Sequence, residues 1–275
     1  MASVSDINVG FNVVAVAYPE EPKYTIIGAD SQVVQVKVMP GESVKCEPGV
    51  MMHMDPNFKP DVELQPCCGC KASCAGESCV KIIYKNEGEA PGYIGMTPNF
   101  PAKVVPMILA QGQKMRSKPK GYMAEIGDID LGMELDCCSK TCCCGSIGCV
   151  QQSLTGAGPG LNVAMLAAGG TVMEKNLGPE EKIIVDMQSL VAWDDTVTMD
   201  LQLAGGLMTI CCAGEGVFVN VMTGPGRVII QSMSFDKFCK AVAPSPGAGA
   251  AAGAAAGAAG SAGGGGAPEE MEVQR

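Results

Sequence analysis

Apolar and polar positions alternate with a period of two along much of this chain. Val34, Val36 and Val38 interleave with Val33, Gln35, Lys37 and Met39. The segments 217–222 and 227–232 are short, rich in β-branched residues and bounded by Gly or Pro. Such patterns predict half-buried strands. Helical stripes with capping signals are scarce; the nearest case, residues 104–111, carries Pro106, which opposes a helix interior.

The alternation is organised by a threefold repeat. Each copy opens on a turn: Met39-Pro40-Gly41-Glu42, Ala110-Gln111-Gly112-Gln113 and Leu177-Gly178-Pro179-Glu180-Glu181. An apolar stretch then reaches a second turn at Met54-Asp55-Pro56, Ile126-Gly127-Asp128 and Trp193-Asp194-Asp195. Each copy closes on a glycine–proline corner, around Pro91, Pro159 and Pro225. A repeat of this length sets the architecture. The prediction is an all-β fold of three pseudo-equivalent β-units in a double-stranded β-helix or sandwich-like roll, because one unit alone has too little core. The units run over about residues 31–98, 102–166 and 170–234, within one β domain at 24–240 that follows an N-terminal segment, 1–23. Residues 241–275, nearly all Ala and Gly before an acidic end, are expected to be a disordered tail.

The repeat also carries cysteines. Cys67, Cys68, Cys74 and Cys79 recur 70 residues later as Cys137, Cys138, Cys144 and Cys149. Cys70, Cys142 and Cys143 lie in the same segments, and the third copy keeps Cys211 and Cys212. These thirteen residues are the candidate metal or acylation positions. Four readings stay open. Each full segment supplies the four thiols of a tetrahedral zinc site, although adjacent cysteines on an extended chain point oppositely. Paired thiols among small residues suit S-acylation, and several acyl chains attach a protein stably where one does not. Vicinal thiols could cycle to disulfides, with only Lys71 and Lys140 nearby to activate them. They could also be tolerated small apolar residues.

Charge narrows the partners. A net charge of −10 works against sequence-independent nucleic-acid binding, so no nucleic-acid partner is expected. It also works against charge-driven docking on anionic lipid. The basic stretch Lys114, Arg116, Lys118 and Lys120 reads as a solvated loop or an edge-strand guard. Aromatic residues are 4% of the chain, so its 18 methionines must fill much of the core. The first twenty residues lack the basic start of a secretory signal and the arginines of a presequence. The expectation is a cytoplasmic protein whose fifteen cysteines are not a disulfide scaffold.

Little suggests catalysis. His53 is the one histidine and reads as a packed or turn residue. Asp194, Asp195 and Glu215 are candidate carboxylates, with the aspartates expected to cap a loop. The Gly-Pro-Gly corners lack the Lys-Ser/Thr step of a phosphate loop. The expected role is a non-enzymatic scaffold without a cofactor, associated with a membrane surface through its cysteine loops and with protein partners or further copies of itself. The alternative is a zinc-binding or thiol-sensing protein.

A family resemblance rests mainly on the third copy: Val185-Asp-Met-Gln-Ser-Leu-Val-Ala-Trp-Asp194, Gly205-Gly-Leu-Met-Thr209, Gly214-Glu-Gly-Val-Phe218 and Thr223-Gly-Pro-Gly-Arg-Val-Ile-Ile-Gln-Ser232, with Gly41-Glu42 and Gly76-Glu77-Ser78 in the first. This series resembles the altered-inheritance-of-mitochondria (mitochondrial biogenesis) family over residues 25–235. The resemblance implies a fold similar to the tryptophan RNA-binding attenuator protein, without implying tryptophan or RNA binding. It also implies a link to inner-membrane organisation and hence a mitochondrial alternative for localisation. It brings no established catalytic residues. Relatives tend to have a Gly- and Leu-rich apolar segment where this chain has its cysteine loops.

Overall fold

The computed structural model describes residues 12–13, 23–64, 80–135, 150–203, 205 and 218–243. These residues are almost entirely β. The first unit comprises β2 (Tyr24–Ile27), β3 (Val33–Val38), β4 (Ser43–Cys46), β5 (Met51–Met54), β6 (Phe58–Leu64), β7 (Val80–Asn86) and β8 (Gly92–Met96). The second comprises β9 (Lys103–Leu109), β10 (Lys114–Ser117), β11 (Tyr122–Ile126), β12 (Ile129–Leu135), β13 (Val150–Gly156) and the first half of β14 (Asn162–Leu177). The third takes the second half of β14, then β15 (Lys182–Val185), β16 (Leu190–Asp194), β17 (Thr198–Leu203), β18 (Phe218–Thr223) and β19 (Gly226–Met233). A short strand, β1 (Asn12–Val13), pairs with β14. The described chain ends in a helix, α1 (Phe235–Val242). Residues 1–236 form one compact unit and residues 237–275 a second. The expected disordered tail from Pro244 onward lies outside the described residues.

One wiring plan serves all three units. A hairpin joins β6 to β7, β12 to β13 and β17 to β18. Its second strand pairs with β4, β10 or β15. The first and last strands of each unit pair as β3–β8, β9–β14 and β14–β19. The last strand also pairs with β5, β11 or β16, and each of these ladders is bulged at the equivalent place: between Met51 and His53, Tyr122 and Ala124, Leu190 and Ala192. A bulge repeated in register is a feature of the design, because it bends each strand around the core at the same point.

The opening turns explain the glycines that mark each copy. Gly41 (φ +82), Gly112 (φ +78) and Glu180 (φ +61) occupy the same left-handed position. The residue that follows fixes the turn with its side chain. Glu42 accepts a hydrogen bond from the Met39 amide, Gln113 from the Ala110 amide and Glu181 from the Gly178 amide. Asp55 and Asp194 tie the second turn to the corner by accepting the amides of Tyr93 and Arg227. Asp194 thus caps a loop, as its sequence context predicts.

Adjacent units are joined by a strand pair that sequence adjacency does not reveal. β4 of the first unit pairs with β11 of the second, and β10 of the second pairs with β16 of the third. β10 is therefore an interior strand, which corrects the reading of Lys114–Lys120 as an edge guard. Arg116 bonds Asp195 across this junction and Gln151 within its own unit. Burial pulls the pKa of Lys118 down to about 8, against the attraction of Asp236. Among the described residues β5 and β15, which by the same plan would join the third unit to the first, remain the edges of a four-stranded sheet, β2-β3-β8-β5, and a three-stranded one, β15-β18-β17.

Three apolar clusters fill the interior. One surrounds Val34, Val36, Ile94 and Met96; a second Met107, Met115, Leu154 and Leu166; a third Trp193, Leu190, Met222 and Val228. Met96, Met107, Met115, Met123, Met165, Met187 and Met222 are all buried. Methionine takes the space that a core poor in aromatics leaves open.

Candidate functional site

The pairing registers place one set of features at a single end of the β domain. Leu64 pairs with Val80, Leu135 with Val150 and Leu203 with Phe218. These residues flank the three cysteine segments. Their hairpins lie beside the ends of β4, β10 and β15, and the junction registers set Cys46 next to Ala124 and Ser117 next to Ala192. The flanking strand ends of the first two hairpins therefore lie at the same end of the domain, with the turns that follow β4 and β10, and those of the third hold the equivalent place beside β15. Leucine occupies the last position of β6, β12 and β17 alike. Leu64 is 72% exposed and Leu203 55%. Cys67, Cys68, Cys70, Cys74, Cys79, Cys137, Cys138, Cys142, Cys143, Cys144, Cys149, Cys211 and Cys212 themselves lie outside the described residues, as does Glu215.

A cleft of about 420 Å³ opens at this end. Val50, Phe100, Tyr122, Met123, Ala167 and Phe235 line it, with Glu47, Asn99 and Lys120 among its polar groups. The rings of Phe100 and Phe235 meet at 5.2 Å between centroids. Phe235 begins α1, a helix that the scarcity of capping signals did not lead one to expect. Ser234 before it and Asp236 in its first turn are the cues the sequence held.

Behind the cleft sits a buried charged cluster that sequence reading missed. Lys81 on β7 lies 2.7 Å from Glu125 Oε2 on β11, across the first junction. The Tyr122 hydroxyl donates to the same oxygen at 2.8 Å. Lys81 also donates to the Ile129 carbonyl at 3.3 Å, and its ammonium stands 5.3 Å from the centre of the Tyr122 ring. Glu125 Oε1 has no hydrogen-bond partner, and the Lys45 ammonium lies 4.0 Å from it. Burial raises the pKa of Glu125 even though Lys81, Tyr122 and Lys45 oppose it. Burial also pushes the Tyr122 phenol well above its ordinary value, with the Glu125 charge adding to the effect. Burial pulls Lys45 down, but Glu125, Glu63 and Asp128 outweigh it, so its pKa ends raised. The cluster is committed to itself. Tyr122 lines the cleft and gives its hydroxyl to Glu125, and the arrangement ties the first two units together.

The other sequence candidates disperse. His53 sits exposed on β5 with its ring over Gly95, where a side chain at residue 95 would collide with it. It is a strand residue, not a turn. Asp195 is held by Arg116. Among the described residues no group of three or more His, Cys, Asp or Glu is placed to hold a metal ion, and no helix is long and apolar enough to cross a membrane.

Residues 24–233 match the family model described as mitochondrial biogenesis AIM24. The chain belongs to this family. Among relatives, an uncharacterised protein of Streptococcus pyogenes serotype M6 is 28% identical over 171 residues, covering 60% of this chain and 62% of the relative. The crystal structure of a Streptococcus pyogenes protein superposes with a TM-score of 0.60 at 21% identity, covering 80% of this chain and 97% of that one. That likeness bears on the all-β fold of the family member described here. It comes with no assigned activity.

Two described cysteines test the thiol chemistry. Cys46 is fully buried in the first cluster. Burial, then the charges of Glu47 and Glu125, push its thiol up to about 12. Cys239 is exposed. Iodoacetamide on the native protein at neutral pH should therefore modify Cys239 and spare Cys46, with peptide mass mapping as the readout. Labelling of Cys46 at the rate of Cys239 would contradict its place in the core.

Proposed function

We propose that this chain is a non-catalytic scaffolding module that docks by its cysteine-bearing end onto a membrane surface. The observation that carries this reading is the leucine repeated at the last position of β6, β12 and β17, with Leu64 and Leu203 exposed beside the cysteine segments. Exposed leucines on edge strands are unfavourable in water unless something covers them. Thiol acylation next to them would add anchoring in the same plane, where several chains hold stably and one does not. The net charge of −10 favours attachment through apolar groups over attraction to anionic headgroups. The family description, mitochondrial biogenesis, is what favours the mitochondrial alternative for localisation over the cytoplasmic one. A likeness of the β domain to the tryptophan RNA-binding attenuator fold, implied by the family resemblance, belongs to this reading.

The test is flotation with phosphatidylcholine vesicles, using full-length protein purified from its native cells. The protein should float, and it should lose flotation when hydroxylamine removes thioester-linked chains or when Cys67, Cys68, Cys137 and Cys138 are replaced by serine. Intact mass measured native and denatured separates the alternative. A zinc mass lost on denaturation, with no acyl mass and no flotation, would replace membrane docking by a metal-binding role.

A further inference from the structure

Two internal junctions define what a complete junction looks like. In the first, Cys46 faces Ala124 and Lys45 faces Glu125. In the second, Ser117 faces Ala192 and Arg116 faces Trp193. The repeat plan carries the same register to the third, where Val185 would face His53 and Ile184 would face Met54. That ladder is not made. Among the described residues β15 pairs with β18 alone and β5 with β8 alone.

These open edges keep some guards, exposed Lys182 on β15 and the bulge in β5, but apolar residues are exposed beside them. Ile184 stands where the other units place Lys45 and Arg116, and it is 64% exposed. Met52, on β5, is 53% exposed, whereas its counterparts Met123 and Val191 are buried. Strand edges that stay in water are commonly guarded by charge, bulges or proline. Here an isoleucine and a methionine take the two positions that would face each other. Each edge is also anchored in a different core: Met51 and Met54 pack on the first cluster, while Val185 and Ile183 belong to the third. The register that joins units inside this chain is therefore also on offer between two copies of it, one presenting β15 and the other β5.

We propose that the partner for these edges is a second copy of this chain, with β15 of each copy pairing antiparallel with β5 of the other. The pairing is mutual, so it closes as a twofold dimer. Main-chain hydrogen bonds would supply the attraction, as in other strand additions, and the Ile184–Met54 contact would set the register. The charged pair that serves the first junction gives the means of testing this.

The experiment is sedimentation velocity on the full chain across a range of concentrations, with circular dichroism confirming that each variant is folded. The natural sequence should pass from monomer to dimer as concentration rises. Met54→Lys with Ile184→Lys sets like charges opposite each other and should weaken association on the order of tenfold or more. Met54→Glu with Ile184→Lys copies the Lys45–Glu125 arrangement and should restore the dimer in a salt-sensitive form. A natural chain that stays monomeric at every concentration would overturn the proposal. So would a folded double-lysine variant that dimerises as well as the natural chain, or a Glu/Lys variant that recovers nothing.

Discussion

Replacing Lys81 by methionine should destabilise the protein by about 3–5 kcal/mol, the range expected when one partner of a buried ion pair is removed. The ammonium is the closest cation to Glu125, whose side chain has no exposure to solvent. Without it the carboxylate keeps only the Tyr122 hydroxyl at 2.8 Å and the more distant Lys45. Denaturant unfolding at neutral pH measures the loss. The sign of the pH dependence follows from the direction of the Glu125 shift. Burial already raises its pKa above the ordinary 4.5, and loss of Lys81 would raise it further. A carboxyl raised in the folded state contributes its stability below the unfolded value and loses it as pH rises through the folded value. The deficit relative to the natural chain should therefore be largest at neutral pH and shrink as pH falls towards 4.5. Adding Glu125→Gln should recover much of it, because the neutral amide still accepts from Tyr122. A Lys81→Met protein within about 1 kcal/mol of the natural chain would mean that the pair is not buried as described.

Truncating Trp193 to alanine should cost about 3–5 kcal/mol and lower the melting temperature by roughly 10 °C. The indole is 1% exposed and packs with Leu177, Leu190, Val197, Met222 and Val228. It also belongs to the second junction, opposite Arg116 on one side and Val228 on the other. Its removal empties the third core and thins the contact between units. Trp193→Phe keeps most of the volume and should cost clearly less. Melting followed by circular dichroism compares the two. Equal losses for alanine and phenylalanine would show that packing volume is not what the site uses. Because Trp193 is the one tryptophan in the chain, its fluorescence in the natural protein reports on this junction alone.

The sequence discloses whatever is local in this fold. The valine alternation at residues 33–38 is β3, and the turns at Gly41, Gly112 and Glu180 are legible because each demands a left-handed residue followed by a side chain that reaches back. Pairing between units is not local. β4 meets β11 and β10 meets β16 across more than one whole unit, and alternation on each strand is blind to which partner it finds. The same blindness hides the cluster at Glu125. Lysine and glutamate in a strand read as its solvated face, and only the junction brings Lys81, Tyr122 and Glu125 together. The sequence points to the cysteine-bearing end through the repeated thiols. The structure contributes the exposed leucines and the cleft lined by Val50, Phe100, Tyr122 and Phe235.

β14 has a consequence for how the three units could have come apart or been assembled. Its 16 residues pass from the ladder with β9 and β11 into the ladder with β19 as one strand, with a register shift between Gly169 and Val172 where Gly170 is left-handed (φ +68). The second and third units therefore meet at a bulge inside one strand and not through a connecting loop, and a break between them would cut a strand that both units share. The first and second units do have such a loop, at residues 97–102, outside both β8 and β9. Read along the backbone, the molecule is one unit followed by a pair that shares a strand, although its repeats count three.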